Sequence, residues 1–170
     1  VGEFSIDPID CRILDEISEY PVMILTNAFL LKQEAIRALE RSGIIFCSVD
    51  AGTRDTFRRV KGADAFERVS DNLREYARHG PVSLKYILLD GVNDSTEDLE
   101  GFFRLADEVG VRVSLSRNYL AVEDRFSERA LDFAARFIHH FRESGRLNMN
   151  LNGFLRPGEE DRIEMRLSKL

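Results

Sequence analysis

The chain has 170 residues, of which 44% are hydrophobic and 32% charged, so the composition excludes a disordered protein and suits one domain of ordinary size. Its net charge of -6 disfavours a nucleic-acid partner, because general nucleic-acid binders normally carry a basic patch. No apolar run approaches the roughly 20 residues that span a bilayer, and no secretory signal opens the chain, so we expect a cytoplasmic protein without a membrane partner.

Short apolar runs alternate with longer amphipathic runs along the chain. Runs typical of buried strands are predicted at 22–26, 44–49, 82–89, 111–116 and 148–152. Amphipathic helices are predicted at 10–19, 32–42, 65–79, 96–109 and 127–144. Ser95 is predicted to cap the helix that follows it, and Gly43 and Gly110 are predicted to end helices.

Strands that alternate with helices indicate βαβ units and a parallel sheet. A complete eightfold barrel needs about 250 residues, so the pattern leaves open a doubly wound sheet or an arc of a barrel. We predict an α/β fold, a partial (β/α) barrel of about five strands and five helices that forms an incomplete TIM-like arc over residues 1–152. Residues 153–170 form an unassigned tail, in which the acidic run at 159–161 is predicted to be solvated.

Polar residues interrupt the predicted strands near their carboxyl ends. Side chains two positions apart share a face, which pairs Ser48 with Asp50, Ser83 with Lys85 and Ser114 with Ser116. A buried charge is costly unless it is paired or solvated, and α/β folds bind ligands at this edge, so the pattern predicts a shared polar cavity. Lys85 is the strongest indicator, because it interrupts an apolar strand where no helix begins.

A structural interpretation of the same residues stays open. Thr26 and Ser48 are also suited to cap the turns that follow their strands. Asp50 is suited to begin an Asx-turn before Gly52. For any one of these residues the two interpretations carry equal weight, whereas the whole set on different strands favours a cavity.

Four segments, in this order along the chain, resemble motifs of the radical S-adenosylmethionine (radical SAM) superfamily. They are Val1-Gly2-Glu3-Phe4, Thr26-Asn27-Ala28, the run from Cys47 through Ser48-Val49-Asp50 to Thr53 followed by Lys61-Gly62, and the stretch at 88–95. They are similar to the family's Gly-Gly-Glu-Pro, its Thr-Asn-Gly, its Ser-Leu-Asp-Gly with a later Lys-Gly, and its fifth-strand exit. The resemblance covers residues 1–118.

The resemblance implies a role for each matching position. Gly2 and Glu3 would meet the amino group of the methionine moiety, and Ser48 would bind the ribose with Asp50 in support. The sixth strand around Leu115 would lie beside the adenine or the substrate. Residues implied to line the cofactor or substrate cavity are Thr26, Asn27, Lys85 and Arg117.

The resemblance also implies cofactors for a full-length parent enzyme, namely S-adenosylmethionine and a [4Fe–4S] cluster that would cleave it reductively to a 5′-deoxyadenosyl radical. The family's Cys-x-x-x-Cys-x-x-Cys motif is absent, and Cys11 and Cys47 have no metal-ligand spacing. Val1, Phe4 and Ala28 also replace the family's glycine, proline and glycine. We therefore expect this chain to be a piece of such an oxidoreductase or transferase, inactive alone, with no catalytic or metal residues and no bound cofactor.

Two other functions stay open. The chain could be a degenerate barrel that serves as a binding or interaction module. It could also be an unrelated doubly wound domain for a nucleotide or sugar phosphate, although it has no Gly-x-Gly-x-x-Gly motif or P-loop. The sequence does not distinguish a small-molecule substrate from a peptide, and an unpaired edge of an incomplete sheet would favour association.

Overall fold

The computed structural model of the protein describes residues 13–16, 20–110, 112–118, 125–149 and 151–170, and one four-stranded parallel sheet organises them. Its strands lie side by side in chain order: β1 (Met23–Thr26), β2 (Ile44–Ser48), β3 (Val82–Leu88) and β4 (Arg112–Arg117). The helices are α1 (Gln33–Arg41), α2 (Arg54–Lys61), α3 (Phe66–His79), α4 (Thr96–Val109), α5 (Glu128–Glu143), α6 (Leu151–Phe154) and α7 (Glu160–Leu167). Helices α1 to α4 lie in the connections between the parallel strands, as a barrel arc requires.

The predicted α/β architecture and its first four strands are confirmed. The predicted strand at 148–152 is wrong: among the described residues of this region, strand-like pairing is confined to a bridge between Leu147 and Val113, and helix α6 begins at Leu151. Helix α2 was not predicted, since its mostly charged sequence buries little besides Thr56 and Phe57. Of the helix predicted at 10–19, residues 13–16 are helical, and the others lie outside the described residues.

One face of the sheet is covered by helices, and aromatic rings fill the interface. The ring of Tyr86 on β3 lies 5.0 Å from that of Phe102 on α4, and 5.2 and 6.1 Å from those of Phe133 and Phe137 on α5. Burial raises the pKa of the Tyr86 phenol above its usual range, so the hydroxyl stays protonated. It donates a hydrogen bond of 2.5 Å to the carbonyl of Asn93, which anchors the loop after β3.

The other face of the sheet is more open, and it is where the candidate site lies. Met23 and Leu25 on β1 are 66% and 63% exposed, and Phe46, Lys85 and Ser114 on the inner strands are half-buried. Strand β1 pairs only with β2 among the described residues, so its other edge is unpaired there. Association through this edge stays a prediction.

A buried carboxylate joins the loop after β2 to the start of α4. The side chain of Asp98 accepts hydrogen bonds of 3.1 Å from the amides of Gly52 and Thr53, and of 2.9 Å from the hydroxyls of Thr56 and Ser95. The Ser95 hydroxyl in turn accepts from the Asp98 amide at 3.0 Å, which confirms Ser95 as the N-cap. The two elements are thereby tied together at the carboxyl edge of the sheet.

The same contact brings two glycines against each other. A β-carbon placed on Gly101 of α4 would lie 1.9 Å from the carbonyl oxygen of Gly52, and one placed on Gly52 would lie 1.8 Å from that of Asp98. These distances are far below van der Waals contact, so the loop and the helix can approach this closely only with glycine at both positions.

The tail after residue 153 is folded rather than solvated. Helix α7 buries Ile163, and its Arg166 forms ion pairs with Glu128 and Asp132 of α5. Of the acidic run predicted to be solvated, Asp161 is exposed, whereas Glu159 is fully buried. The prediction failed because this carboxylate binds backbone and side-chain donors from three separate segments. No helix in the described ranges is long and apolar enough to cross a bilayer.

His79, at the end of α3, is expected to make stability depend on pH. Hydrogen bonds from its ring to Glu40 at 2.9 Å and Glu75 at 3.3 Å raise the pKa of the imidazole above its ordinary value. The stabilisation is therefore complete below the unfolded pKa of about 6.5 and is lost as pH rises through the higher folded value. Urea unfolding at pH 5.5 and 8.5 should show that His79→Gln destabilises the protein more at the lower pH.

His139→Gln is the matched control for that experiment, since His139 forms no ion pair with any residue the structure describes. It gives the effect of replacing a histidine without such partners under the same two conditions. An equal effect of His79→Gln at both pH values would contradict the assignment.

Candidate functional site

Asp50 follows the end of β2 and connects it to β3 at the carboxyl edge of the sheet. Its carboxylate accepts the amide of Ile87 at 2.6 Å and the ammonium of Lys61 at 2.5 Å, and the Asp50 side chain is only 5% exposed. Its backbone is left-handed, with φ of 58°, which is uncommon for a residue other than glycine. The carboxylate therefore spans to β3 and α2 rather than forming the Asx-turn that the sequence left open.

Asn93, which the sequence reasoning missed, fastens the same edge from the other side. Its amide nitrogen donates to the carbonyls of Asp50 at 2.9 Å and Ile87 at 2.8 Å, and its oxygen accepts from the amide of Leu89 at 2.7 Å. The residue is fully buried, so these bonds replace water that it cannot reach. Together with Asp50 it holds the strand ends in fixed positions around the site.

Thr26 and Asn27 shape the turn after β1. The Thr26 hydroxyl accepts the amide of Ala28, and the Asn27 side chain accepts that of Phe29, each at 3.0 Å. Ala28 has a φ of 56°, a conformation that glycine adopts without the steric cost of a β-carbon. This explains why the resembling motif has glycine at this position, and alanine adopts the same conformation at a steric cost. The register puts Thr26 beside buried Cys47, so it lies in a row of the helix-covered face.

Ser48, Lys85 and Ser114 form one row across the open face. Ser48 is paired in register with Lys85, and Lys85 with Ser114, so the three side chains point to the same side of adjacent strands. The Ser114 hydroxyl is buried and has no hydrogen-bond partner in the described part of the chain. Lys85 likewise forms no ion pair with the described residues. A ligand with an anionic group would satisfy both.

A cavity of about 450 Å³ opens beside Lys85 and Ser114, and we call it the open-face cavity. Its volume is within the usual range of small-molecule sites. Its lining residues come from three strands and from the segment after α5: Phe46, Lys85, Ser114, Leu115, Ser116, Arg117, Asn148, Met149, Gly153 and Phe154. The segment after residue 147 was predicted as a strand and was not assigned to the site, because its position there depends on how the chain folds back across β4.

Leu115 and Arg117 also border this cavity, but alternation along β4 turns their side chains away from the row of Ser114. Leu115 is 3% exposed and belongs to the helix-covered core. The guanidinium of Arg117 is buried against Glu159, with 2.5 Å between the two groups. A direct role of the Arg117 side chain in binding a substrate stays a prediction, and its visible partner is within the protein.

The chain is similar to a known family. A family model of the radical SAM superfamily matches residues 4–106, which is more than half of the chain. The chain belongs to the radical SAM superfamily. The membership that the resemblance implied is thereby confirmed.

Curated relatives share part of this radical SAM chain. A probable GTP 3′,8-cyclase from Saccharolobus solfataricus is 33% identical over 104 residues, which cover 59% of this chain and 32% of that protein. A protein named GTPase Obg from Brachyspira hyodysenteriae is 31% identical over 102 residues, which cover 56% of this chain and 15% of that protein. The chain thus spans about a third or less of the length of these relatives.

Solved structures share the radical SAM fold of the chain. SuiB from Streptococcus suis superposes with a TM-score of 0.66 at 14% identity, covering 88% of this chain and 37% of that one. The structure of SuiB bound to S-adenosylmethionine gives a TM-score of 0.62 at 14% identity, with 86% of this chain and 35% of that one covered. At this identity the similarity shows the fold alone.

The residues of this radical SAM chain do not fit an iron–sulfur cluster. The sequence contains two cysteines, of which Cys47 is buried in the sheet and Cys11 lies outside the described residues. The described residues contain no group of His, Cys, Asp or Glu side chains that could hold a metal ion. Gly2 and Glu3, predicted to meet the methionine amino group, also lie outside the described residues.

Proposed function

We propose that the open-face cavity binds S-adenosylmethionine, and that Lys85 pairs with the carboxylate of its methionine end. One observation carries this proposal: Lys85 forms no ion pair with the described residues, and the buried hydroxyl of Ser114 on the adjacent strand has no hydrogen-bond partner among them. Both groups stabilise an anion, and a charge-assisted hydrogen bond is the stronger kind. The polar row to which both residues belong faces the open side of the sheet, where a ligand has access.

Ser48 extends the same row by one strand and is assigned to the ribose. Adjacent strands lie about 4.8 Å apart, so the row spans roughly 10 Å, comparable to the distance between the carboxylate and the ribose of the ligand. Asp50 supports Ser48 indirectly, because it fixes the end of β2 through Ile87 and Lys61. Apolar Phe46, Met149 and Phe154 supply surfaces for the adenine.

Bound S-adenosylmethionine supplies radical chemistry in this family when a cluster is present. The two cysteines of this chain cannot provide three cluster thiolates, so we assign its residues to binding and orientation. Reductive cleavage is then the activity of a longer parent enzyme, and these 170 residues alone are inactive. The name of the cyclase relative is compatible with a nucleotide substrate for the parent.

Titration with S-adenosylhomocysteine, which has the same carboxylate and needs no cluster, tests the assignment of Lys85. Lys85→Met should weaken its binding by at least about tenfold, which corresponds to the loss of about 1.4 kcal/mol. Lys169→Met is the matched control, because Lys169 is an exposed lysine distant in sequence from the strands that line the cavity.

A second ligand makes the result specific. 5′-Methylthioadenosine lacks the amino-acid end, so Lys85→Met should leave its affinity unchanged. Equal losses for both ligands would mean that the substitution distorts the cavity, and would contradict the carboxylate assignment. If the unmodified protein binds neither ligand, the proposed function is wrong.

A further inference from the structure

Glu159 joins three segments at the carboxyl end of β4. Its carboxylate accepts the amides of Phe126, before α5, and Arg156, before α7, each at 2.8 Å. It also receives the guanidinium of Arg117, the last residue of β4, at 2.5 Å. The Glu159 side chain is fully buried and that of Arg117 is 6% exposed. We call this set of contacts the Glu159 latch.

Arg117 is held on three sides. Its Nε donates to the carbonyl of Phe154 at 3.0 Å, while its guanidinium lies 3.7 Å from the centre of the Phe126 ring. A guanidinium in this position has both its charge and its flat face occupied, which fixes its orientation. Arg117 thereby connects the latch to Phe154, which is 2% exposed.

The charge state of the latch is stable at neutral pH. Burial acts to raise the pKa of the Glu159 carboxyl, but hydrogen bonds from Arg117 and from the amides of Phe126 and Arg156 outweigh burial and lower it below its ordinary value. The carboxylate is therefore ionised at neutral pH. Removing its charge would take the counter-charge of Glu159 away from the buried Arg117 guanidinium, which is a costly change.

The latch forms part of the wall of the proposed ligand site. Gly153, Phe154 and Arg117 all line the open-face cavity. A second cavity of about 390 Å³ lies on the other side of the latch and is lined by Arg117 and Phe126. Arg117 contacts both Phe154 and Glu159 through its guanidinium, so one buried ion pair connects the walls of the two cavities.

We propose that Glu159 is a positioning residue for ligand binding, which sets the affinity of the open-face cavity by holding Phe154 and Arg117 in its wall. This inference rests on the proposed function, because it concerns the same cavity. Glu159 does not line the cavity itself, and it acts through the two residues that do. The tail that the sequence left unassigned is thus a structural part of the site.

S-adenosylhomocysteine titration of the whole protein tests the inference. Glu159→Gln keeps the size of the side chain and removes its charge, and it should weaken binding about tenfold. Glu160→Gln, one residue further along, is the matched control and should bind like the unmodified protein. Circular dichroism at the titration temperature establishes that each variant is folded.

Phe137→Leu is the control that distinguishes a general loss of stability from a displacement of the cavity wall. Phe137 on α5 is fully buried, with its ring 6.1 Å from that of Tyr86, and it lines neither cavity. Its replacement by leucine should therefore destabilise the protein without weakening binding. If Glu159→Gln does not fold, Phe154→Ala trims the wall directly and should give the same loss of affinity. Unchanged binding in the folded Glu159 variant or in Phe154→Ala, or equal weakening by Phe137→Leu, would overturn the inference. Absence of binding in the unmodified protein would instead refute the proposed function.

Discussion

Replacing Gly101 with alanine is expected to lower the free energy of unfolding by about 3 kcal/mol. In an ordinary helix interior the same change stabilises by up to about 1 kcal/mol, because glycine loses more backbone entropy than alanine on folding. Here the new methyl group would lie 1.9 Å from the carbonyl oxygen of Gly52, and the atoms it meets are backbone rather than the end of a flexible side chain. The loop after β2 and helix α4 would have to separate to admit it.

Urea unfolding followed by circular dichroism measures the effect of Gly101→Ala. Gly153→Ala is the matched control, since a β-carbon there would meet no atom within 4 Å, and its effect on stability should be small. A variant as stable as the unmodified protein would show that the loop does not pack against α4 as described. Because Gly52 lies in the loop between α2 and the strand that carries Ser48, separation should also weaken S-adenosylhomocysteine binding.

The strands and the main helices could be predicted because their signal is local. The mostly apolar run of β3 indicates a buried strand without knowledge of its neighbours. The apolar residues of α4 and of α5 recur at helical spacing, so they lie on one face of each helix. Helix α2 and the segment around α6 lack such a stripe. Their structure depends on Asp98 and on the Glu159 latch, which are contacts across more than 30 residues of sequence.

The candidate site was predictable to the extent that strand alternation determines it. Alternation correctly puts Ser48, Lys85 and Ser114 on one face, since the register aligns them. The same rule turns Arg117 to the opposite face, so its predicted role depended on the family resemblance alone. Asn93 was beyond prediction, because a buried asparagine in a loop looks in sequence like any turn residue.

Removal of the Asp98 side chain by Asp98→Ala is expected to lower the free energy of unfolding by about 3 to 4 kcal/mol. The substitution would leave the amides of Gly52 and Thr53 without their acceptor at a site that is 2% exposed, and it would open a void between the loop and α4. A buried donor without a partner costs the full loss of its hydration. Urea unfolding at neutral pH measures the change.

Asp98→Asn should have a clearly smaller effect than Asp98→Ala, because its remaining oxygen can still accept the two loop amides while its new amide group donates to the hydroxyls of Thr56 and Ser95. Glu97→Ala is the matched control, since Glu97 is exposed in the same first turn of α4 and should change stability by less than about 0.5 kcal/mol. We expect the free energy of unfolding to fall most for Asp98→Ala, less for Asp98→Asn and least for Glu97→Ala. This order follows only if Asp98 accepts several hydrogen bonds. Equal stability of the alanine and asparagine variants would contradict this role, because asparagine keeps the volume and most of the hydrogen bonds of the side chain, whereas alanine keeps neither.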